Sequence, residues 1–356
     1  MTASARHLSL RDPPMQCPTL SELPTPPSGK TGWPWTEESR RLPSQTSEGC
    51  PWPCISVVTP SFNQGEFIEE TIRSVLLQGY PNLDYLVIDG GSTDSSVEII
   101  KKYSPWLSYW VSEPDAGQSH AINRGLKMAS GVFATWINSD DMLYKNALAE
   151  HALRIGFDSS VVYVGICAHT DENGKILSMH RGRIHSLKDL LRIPEVWRKG
   201  GNIVQPEVLF PRKLALEVGC LTRDNHSCMD YELWGKFFLA GAKFQYTEVP
   251  FGMHRRHGEQ KSNDLSRSTE SLKPITMRFV SLAEFLSEEE KESIRNELQA
   301  YFAAYPETQW RESGRLARWG IPRPIVAGIR KGRQTVRKVL RFWGIGLKND
   351  IRGIQA

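Results

Sequence analysis

The segment from Val132 to Asp141, VFATWINSDD, constrains the fold of this chain most strongly, because an apolar run stops there at two adjacent carboxylates. A buried strand would deliver Asp140 and Asp141 to the carboxyl end of an α/β sheet, where such folds bind ligands and where paired acids indicate a metal site. Successive strand residues point to opposite faces, so one acid faces a shared cleft while the other braces the loops or the waters of a metal. The alternative is that both acids cap a helix that begins near Met142.

Length and composition indicate a globular chain of about two domains. The chain has 356 residues, of which 40% are hydrophobic and 24% charged, and a net charge of +4 that is too small to indicate a nucleic-acid partner. The six cysteines form no C-x-x-C pair, which indicates neither a zinc site nor a disulfide framework. Without a signal-peptide pattern or an apolar stretch of the ~18 residues that a membrane span needs, we expect reduced thiols and a cytoplasmic location.

The distribution of apolar residues divides the chain into four regions. Residues 1–53 are rich in Pro, Ser, Thr and Glu and carry no hydrophobic period, which predicts a disordered or loosely docked arm. In residues 54–145 four strand-like runs alternate with segments of helical spacing, and right-handed crossovers then favour a parallel, doubly wound sheet. Residues 146–262 read as α+β, with an antiparallel hairpin between Val161 and Met179.

Residues 263–356 are predicted to form a helical C-terminal extension. From Ile325 to Trp343, apolar residues fall on one helical face and Arg and Lys on the other, a pattern typical of a helix on an anionic membrane surface. The alternative is an amphipathic helix docked on the core of the protein itself. The first possibility would make the protein peripheral to the inner face of the cytoplasmic membrane.

A polar group follows every strand of the first half, at the edge where open α/β sheets bind ligands. Each of these groups alone could be an Asx-turn or a helix cap, but four strand ends in register indicate a ligand site. The sequence after the second strand lacks G-x-G-x-x-G, and no P-loop motif is present, which excludes dinucleotide and P-loop sites. The residues concerned are Ser61, Asn63, Asp89, Ser92, Asp115, Gly117, Asp140 and Asp141.

Five short blocks, in order and over about residues 54–260, resemble the signature blocks of family 2 glycosyltransferases. They are TPSFN (Thr59–Asn63), VIDGGSTD (Val87–Asp94), EPDAG (Glu113–Gly117), NSDD (Asn138–Asp141) and MDYELW (Met229–Trp234). The resemblance implies an α/β fold of GT-A type, a Rossmann-like mixed sheet flanked by helices, with residues 54–145 as the nucleotide-sugar-binding half and residues 146–262 as the acceptor-binding half. It also implies a UDP-, GDP- or dTDP-linked sugar donor, Mg²⁺ or Mn²⁺, and inversion at the anomeric carbon.

The same resemblance implies roles for individual residues. Asp141 would ligate the metal, since Asn138 stands at the first position of the D-x-D motif, and Asp230 would be the general base. A cation is needed to neutralise the diphosphate leaving group, and a carboxylate must accept the proton of the attacking hydroxyl. The residues assigned to the nucleotide-sugar site are Pro60, Ser61, Asn63, Asp89, Ser92, Asp115, Gly117 and Asp140.

Several assignments in the second half have a structural alternative. Asp230 could instead be the N-cap of the helix Tyr231–Leu239, and Glu232 is the second candidate for the base. Gln205 is placed at the acceptor pocket, beside Trp197 and Pro206. A cationic loop could clamp the donor diphosphate or could be merely solvated. Its residues are His254, Arg256, His257 and Lys261.

Taken as a whole, the sequence predicts an inverting glycosyltransferase of cell-surface glycan biosynthesis that acts on a lipid-linked or polysaccharide acceptor. Two other hypotheses are a sugar nucleotidyltransferase, which would share the sheet and the metal but not need Asp230, and a non-catalytic nucleotide-sugar-binding protein on a degenerate GT-A fold.

Overall fold

The computed structural model describes residues 17–225, 227–258, 260 and 265–304. The amphipathic segment from Ile325 to Trp343 and the loop residue Lys261 lie outside the described residues. Within them, no helix is both long and apolar enough to cross a membrane.

Strands and helices alternate through the first half and then mix. The strands are β1 Ile55–Ser61, β2 Leu83–Asp89, β3 Tyr109–Ser112, β4 Phe133–Trp136, β5 Met142–Leu143, β6 Val161–Thr170, β7 Ile176–His180, β8 Val208–Pro211 and β9 Lys243–Arg255. The α-helices are α1 Ile68–Leu76, α2 Ser96–Tyr103, α3 Gln118–Met128, α4 Ala147–Arg154, α5 Leu187–Leu191, α6 Arg212–Glu217, α7 Met229–Leu239, α8 Leu265–Leu282 and α9 Glu288–Ala304. Short turns of 3-10 and π type add Ser104–Trp106, Ile193–Gly201 and Gln205–Glu207.

One mixed sheet runs through the described part of the chain in the order β3-β2-β1-β4-β8-β6-β9-β5, with β7 added on β6. The first four strands are parallel, as predicted, so their carboxyl ends lie along one edge. β8 pairs antiparallel with β4, and from there the sheet is mixed. The antiparallel β6–β7 hairpin is also confirmed. The predicted mixed α/β sheet with flanking helices and further helices toward the C-terminus is therefore present.

Apolar residues cover both faces of the sheet, which explains why β1 is buried along its whole length. Val57 packs with α1 and α4 on one face, while its neighbour Val58 packs with α3 and α7 on the other. A Cβ on Gly125 of α3 would lie 2.4 Å from Cγ1 of Val58. A glycine is therefore required where α3 crosses β1, because any side chain would push the helix off the sheet.

Residues 17–53, which belong to the arm predicted to be disordered or loosely docked, pack on the domain. Apart from an isolated bridge between Gln45 and Pro51, these residues form neither helix nor strand, which agrees with their lack of a hydrophobic period. Their apolar side chains are nevertheless buried against α1 and the start of β1. The buried Arg73 also donates hydrogen bonds to the carbonyls of Pro24, Pro34 and Trp35. Composition alone does not reveal this docking, since the binding partner lies on α1.

Two further elements bear on the interpretations of the sequence. Met142 begins a two-residue strand, so the alternative that Asp140 and Asp141 cap a helix near Met142 is wrong, and α4 starts only at Ala147. β9 continues through His254 and Arg255, which were expected in a loop, because it pairs in parallel with β6 as far as Thr170. In this part of β9 His254 faces a cavity and Arg255 forms a buried ion pair with Glu70, so the strand shows no apolar periodicity.

Candidate functional site

A cavity of about 670 Å³ opens at the carboxyl ends of the parallel strands. One wall comes from the loops after β1 to β4, and the other from the segment around Gln205, the start of α7 and the end of β9. A volume of this size accommodates a ligand of several hundred daltons. The predicted site residues along the cavity are Pro60, Ser61, Asp115, Gly117, Asp140, Asp141, Gln205, Asp230 and His254.

Asp89 lies beneath the cavity surface and joins the strand ends to one another. Its carboxylate accepts hydrogen bonds from the hydroxyls of Ser61 (2.9 Å), Ser92 (2.5 Å) and Ser112 (2.7 Å), and from two backbone N–H groups of the following turn. Asp89 is buried, and Ser92 and Asn63 also lie outside the cavity lining. These three residues hold the loops after β1 and β2, with the Asn63 amide oxygen accepting from the N–H of Thr93.

Gly90 and Asp115 present backbone and carboxylate side by side at the cavity. A Cβ on Gly90 would lie 3.2 Å from Oδ1 of Asp115, so the absence of a side chain keeps this corner open. The same Asp115 oxygen accepts a hydrogen bond of 2.7 Å from the N–H of Gly117, whose φ of 102° lies in the region that glycine favours. The Gly117 turn thereby holds Asp115 in place.

The paired acids Asp140 and Asp141 occupy different environments. Asp141 is 1% exposed, and its two oxygens accept from the backbone N–H of Arg255 (2.9 Å) and from the side-chain amide of Asn138 (3.1 Å). Burial, followed by the neighbouring charge of Asp140, raises the pKa of Asp141 well above its ordinary range. The side chain of Asp140 is 20% exposed and meets Nε2 of His257 at 3.0 Å through one oxygen. Of the two acids, Asp140 is the more accessible from the cavity.

The cationic segment predicted as a loop begins within the end of β9, and its described residues differ in whether they line the cavity. His254 lines the cavity and lies beside His169, with their Nδ1 atoms 3.4 Å apart. Burial lowers the pKa of His254 and brings that of His169 to about 4, so both imidazoles are neutral at pH 7. His257 and Arg256 both lie outside the lining: His257 contacts Asp140 and the ring of Phe67, whereas Arg256 is exposed.

Asp230 lies in the first turn of α7, half-buried at the cavity wall. Cys228 occupies the N-cap position, so the expected alternative role of Asp230 as the helix cap is not what the structure has. One Asp230 oxygen accepts from the N–H of Tyr231 at 2.8 Å. Burial raises the pKa of Asp230 above its ordinary value of 3.8, which makes it a stronger base than an exposed aspartate.

Glu232, the second candidate for the base, points away from the cavity. Its carboxylate accepts from the hydroxyl of Thr222 (2.8 Å) and the amide of Asn225 (2.9 Å) and forms an ion pair with Arg278. These hydrogen bonds oppose the effect of burial and lower the pKa of Glu232. Glu232 therefore ties α7 to the preceding loop and to α8.

Several cavity residues were not singled out from the sequence. Phe62 is 60% exposed although it lines the cavity, and Gln118 donates to the amide oxygen of Asn138 at 2.7 Å. Trp136 lines the floor and is stacked on Trp234. Phe62 stands within the TPSFN block, so an aromatic residue immediately after a strand-end turn was the signal that could have identified it.

The residues present suit a divalent cation held jointly with a ligand. Among the described residues, no group of three or more His, Cys, Asp or Glu side chains could hold a metal ion alone. Asp140 and His257, however, place a carboxylate and an imidazole 3.0 Å apart near the cavity. One or two protein ligands completed by substrate phosphates is a usual arrangement for Mg²⁺ and Mn²⁺ at diphosphate sites.

The chain is similar to known glycosyltransferases in sequence and in fold. The family model "Glycosyl transferase family 2" matches residues 56–219. An uncharacterized glycosyltransferase of Rickettsia bellii is 30% identical over 256 residues, which is 70% of this chain and 36% of that protein. This chain thus spans about a third of the length of that relative.

Two solved structures share the fold at low sequence identity. S. aureus TarS 1-349 in complex with UDP-GlcNAc gives a TM-score of 0.55 at 19% identity, covering 72% of this chain and 74% of that one. The mannosyltransferase PcManGT from Pyrobaculum calidifontis, in complex with GDP-Man and Mn²⁺, gives 0.51 at 17% identity and covers 86% of each chain.

The fold is of GT-A type, as the sequence blocks predicted. Residues 56–219 are the part of the chain that matches glycosyl transferase family 2.

Proposed function

We propose that this protein is an inverting glycosyltransferase that transfers a sugar from a nucleotide-sugar donor to a hydroxyl of a lipid-linked or polysaccharide acceptor of the cell surface. The observation that carries the proposal is that Asp140 and Asp230 line one cavity from different halves of the chain. An inverting transfer needs charge stabilisation for the leaving diphosphate and a carboxylate that accepts the proton of the attacking hydroxyl.

The donor nucleotide fits the wall made by the β1 to β3 loops. Phe62 offers an exposed aromatic face on which a base can stack, and Asp115 can accept hydrogen bonds from a base or a ribose. Gly90 leaves room for a close approach to the backbone. UDP, GDP and dTDP all provide these chemical groups, so the wall supports a nucleoside diphosphate donor without selecting one particular base.

Asp140 and His257 are the residues that would hold the cation. A cation bound there would supply positive charge to the donor diphosphate. An imidazole beside a carboxylate favours Mn²⁺ over Mg²⁺, because Mg²⁺ prefers oxygen ligands alone. The sequence placed the direct ligand at Asp141, whereas the burial and hydrogen bonds of Asp141 favour a positioning role for it.

On the acceptor side, Asp230 takes the proton. Burial raises its pKa and so its strength as a base, while the N–H of Tyr231 fixes one oxygen. Gln205 donates to the carbonyl of Trp136, and with Trp197 and Leu272 it forms a mixed polar and apolar wall. Such a wall suits a sugar, whose rings present both hydroxyls and C–H faces.

The direct test is a screen of UDP-, GDP- and dTDP-linked sugars for release of nucleoside diphosphate in the presence of Mn²⁺. We expect slow release from one donor class without acceptor, since water can replace the acceptor hydroxyl. A nucleotidyltransferase would instead release nucleoside monophosphate or pyrophosphate. Mn²⁺-dependent binding of a donor without any turnover would support the non-catalytic alternative.

Phe62→Ala should weaken nucleoside diphosphate binding. Stacking of a base on an aromatic side chain contributes about 1–3 kcal/mol, so Kd should rise roughly 5- to 150-fold. Isothermal titration calorimetry with UDP and GDP measures this change. Phe285→Ala is a matched control, because Phe285 is 62% exposed but lies outside the cavity lining. Equal affinity in the two variants would place the base elsewhere.

A further inference from the structure

The loop that carries Asp140 and Asp141 is held in part by Arg255, which lies outside the region matched by the family model. Arg255 donates from its backbone N–H to Asp141, from Nε to the carbonyl of Asp140 (2.9 Å) and from Nη1 to the carbonyl of Glu172 (2.6 Å). It is 1% exposed, with its guanidinium over the ring of Phe67. One residue therefore contacts both acids: the Arg255 side chain binds the backbone carbonyl of Asp140, and the Arg255 backbone N–H binds the carboxylate of Asp141.

Arg255 is in turn oriented by a carboxylate on α1. Its Nη2 lies 2.8 Å from Oε2 of Glu70, whose side chain is 9% exposed, so the ion pair is buried. A buried guanidinium needs such a partner, because unpaired charge in the interior is strongly unfavourable. The next residue on α1, Thr71, donates to the carbonyls of Ser139 (3.0 Å) and Asp141 (2.7 Å). The first turn of α1 therefore contacts the loop that carries Asp140 and Asp141, which we call the acid loop, directly through Thr71 and indirectly through Glu70 and Arg255.

The N-terminal segment completes this chain of contacts. The indole N–H of Trp35 donates to Oε1 of Glu70 at 3.3 Å, which leaves Oε2 to Arg255. Trp35 also lies over the guanidinium of Arg73 at 5.3 Å, and Trp33 donates to the carbonyl of Leu143 at 3.1 Å, just beyond the acids. Residues 33–35 precede the family match, which starts at residue 56.

We infer that the docked N-terminal segment is a working part of the donor site, with Trp35 as a positioning residue that acts through Glu70 and Arg255 on Asp140 and Asp141. The acids lie within residues 56–219, whereas the segment that would set their position precedes that match. The inference rests on the proposed function for its link to donor binding, but the contacts that carry it are independent of which nucleotide binds.

Trp35→Phe tests the inference, because it removes the indole N–H and keeps an aromatic ring over Arg73. Loss of a group that orients metal ligands typically reduces metal affinity 10- to 100-fold. Because the hydrogen bond of Trp35 is long, at 3.3 Å, we expect an effect at the lower end of this range. The Mn²⁺ concentration needed for half-maximal binding of UDP or GDP should therefore rise ~10-fold. Saturating Mn²⁺ should restore the affinity, which a general loss of folded protein would not allow.

Trp52→Phe is the matched control within the same segment. Trp52 is also buried and donates through its indole to the carbonyl of Pro43 at 2.9 Å, but it packs on Tyr80. Trp52→Phe should shift the melting temperature about as much as Trp35→Phe does but leave the Mn²⁺ requirement unchanged. Identical Mn²⁺ requirements in the two variants would overturn the inference.

Amide hydrogen exchange separates this inference from the proposed function. The N–H of Asp141 donates to the carbonyl of Asn138, and that of Leu143 to the hydroxyl of Ser74. Trp35→Phe should accelerate exchange at these two amides, whereas Trp52→Phe should not. If wild-type protein binds no nucleoside diphosphate, the proposed function fails while the exchange result still decides whether Trp35 positions the loop. Unchanged exchange at Asp141 and Leu143 would contradict the positioning role.

Discussion

Asp230→Asn should reduce kcat by at least ~10²-fold while leaving donor affinity near that of the wild type, because loss of a general base typically costs ~10² to 10⁴ in rate. The amide keeps the size of the side chain and an oxygen for the N–H of Tyr231, but it cannot accept the proton of the acceptor hydroxyl. Single-turnover transfer, measured beside calorimetry with the nucleoside diphosphate, separates the two effects.

The same substitution should stabilise the fold at neutral pH. Burial raises the pKa of Asp230 in the folded protein, so the ionised form is disfavoured there and stability falls as the pH rises through that pKa. Asparagine does not ionise, so the melting temperature of the variant should exceed that of the wild type at pH 7, and the difference should vanish below the ordinary value of 3.8. The acid limb of the wild-type pH–rate profile should likewise lie above 3.8. A near-wild-type transfer rate in the variant would remove Asp230 as the base.

Asp140→Asn should abolish most of the Mn²⁺-dependent affinity for a nucleoside diphosphate, with little change in melting temperature. Its carboxylate is accessible from the cavity and meets His257, so the substitution removes charge where a cation would bind. Groups that only orient ligands typically cost 10- to 100-fold in metal affinity when they are changed, and a direct ligand should cost more. Calorimetry with and without Mn²⁺ measures the difference.

Asp141→Asn provides the decisive comparison, because the sequence alone places the metal ligand there. The structure instead engages both Asp141 oxygens, one with an N–H of Arg255 and one with the amide of Asn138. An asparagine would present a second NH₂ group toward one of these donors, so we expect a smaller loss of Mn²⁺ affinity and a changed melting temperature. Asp158→Asn, at an exposed site outside the cavity lining, controls for the change in net charge. A larger Mn²⁺ effect in Asp141→Asn than in Asp140→Asn would return the ligand to Asp141.

The parallel half of the sheet could be predicted because its signals are local. β1 to β4 are short apolar runs that end in turn residues, and parallel strands with helical crossovers bring their ends to one edge. Ser61, Asp115 and Asp140 consequently lie along the cavity, as expected. The β6–β9 pairing depends on residues about 80 positions apart and on a strand whose end carries the polar residues His254 and Arg255, so no local period reveals it.

The sequence also does not reveal in which direction a polar side chain at a strand end points. Asp89 and Asp115 both lie near strand ends, yet the Asp89 carboxylate accepts hydrogen bonds from three serine hydroxyls whereas Asp115 faces the cavity. The serines are spread over three strands and loops, so their convergence on Asp89 becomes visible only in three dimensions. Residues 17–53 present the same difficulty, since polar and proline-rich composition does not encode the buried Arg73 that binds their carbonyls.

The contacts of Arg255 have a consequence for the order in which the protein matures on the ribosome. The acid loop is synthesised more than a hundred residues before Arg255, the side chain that joins Asp140 to Glu70. At synthesis rates of about 5–20 residues per second, the nascent chain therefore spends several seconds with the paired acids made but not yet held by β9. During that interval Asp140 and Asp141 lack the buried guanidinium of Arg255 beside them, so the growing chain is poorly prepared to bind a nucleotide together with a metal ion. Under the proposed function we expect donor binding only after β9 has emerged and paired with β6, which would couple the gain of activity to completion of the sheet.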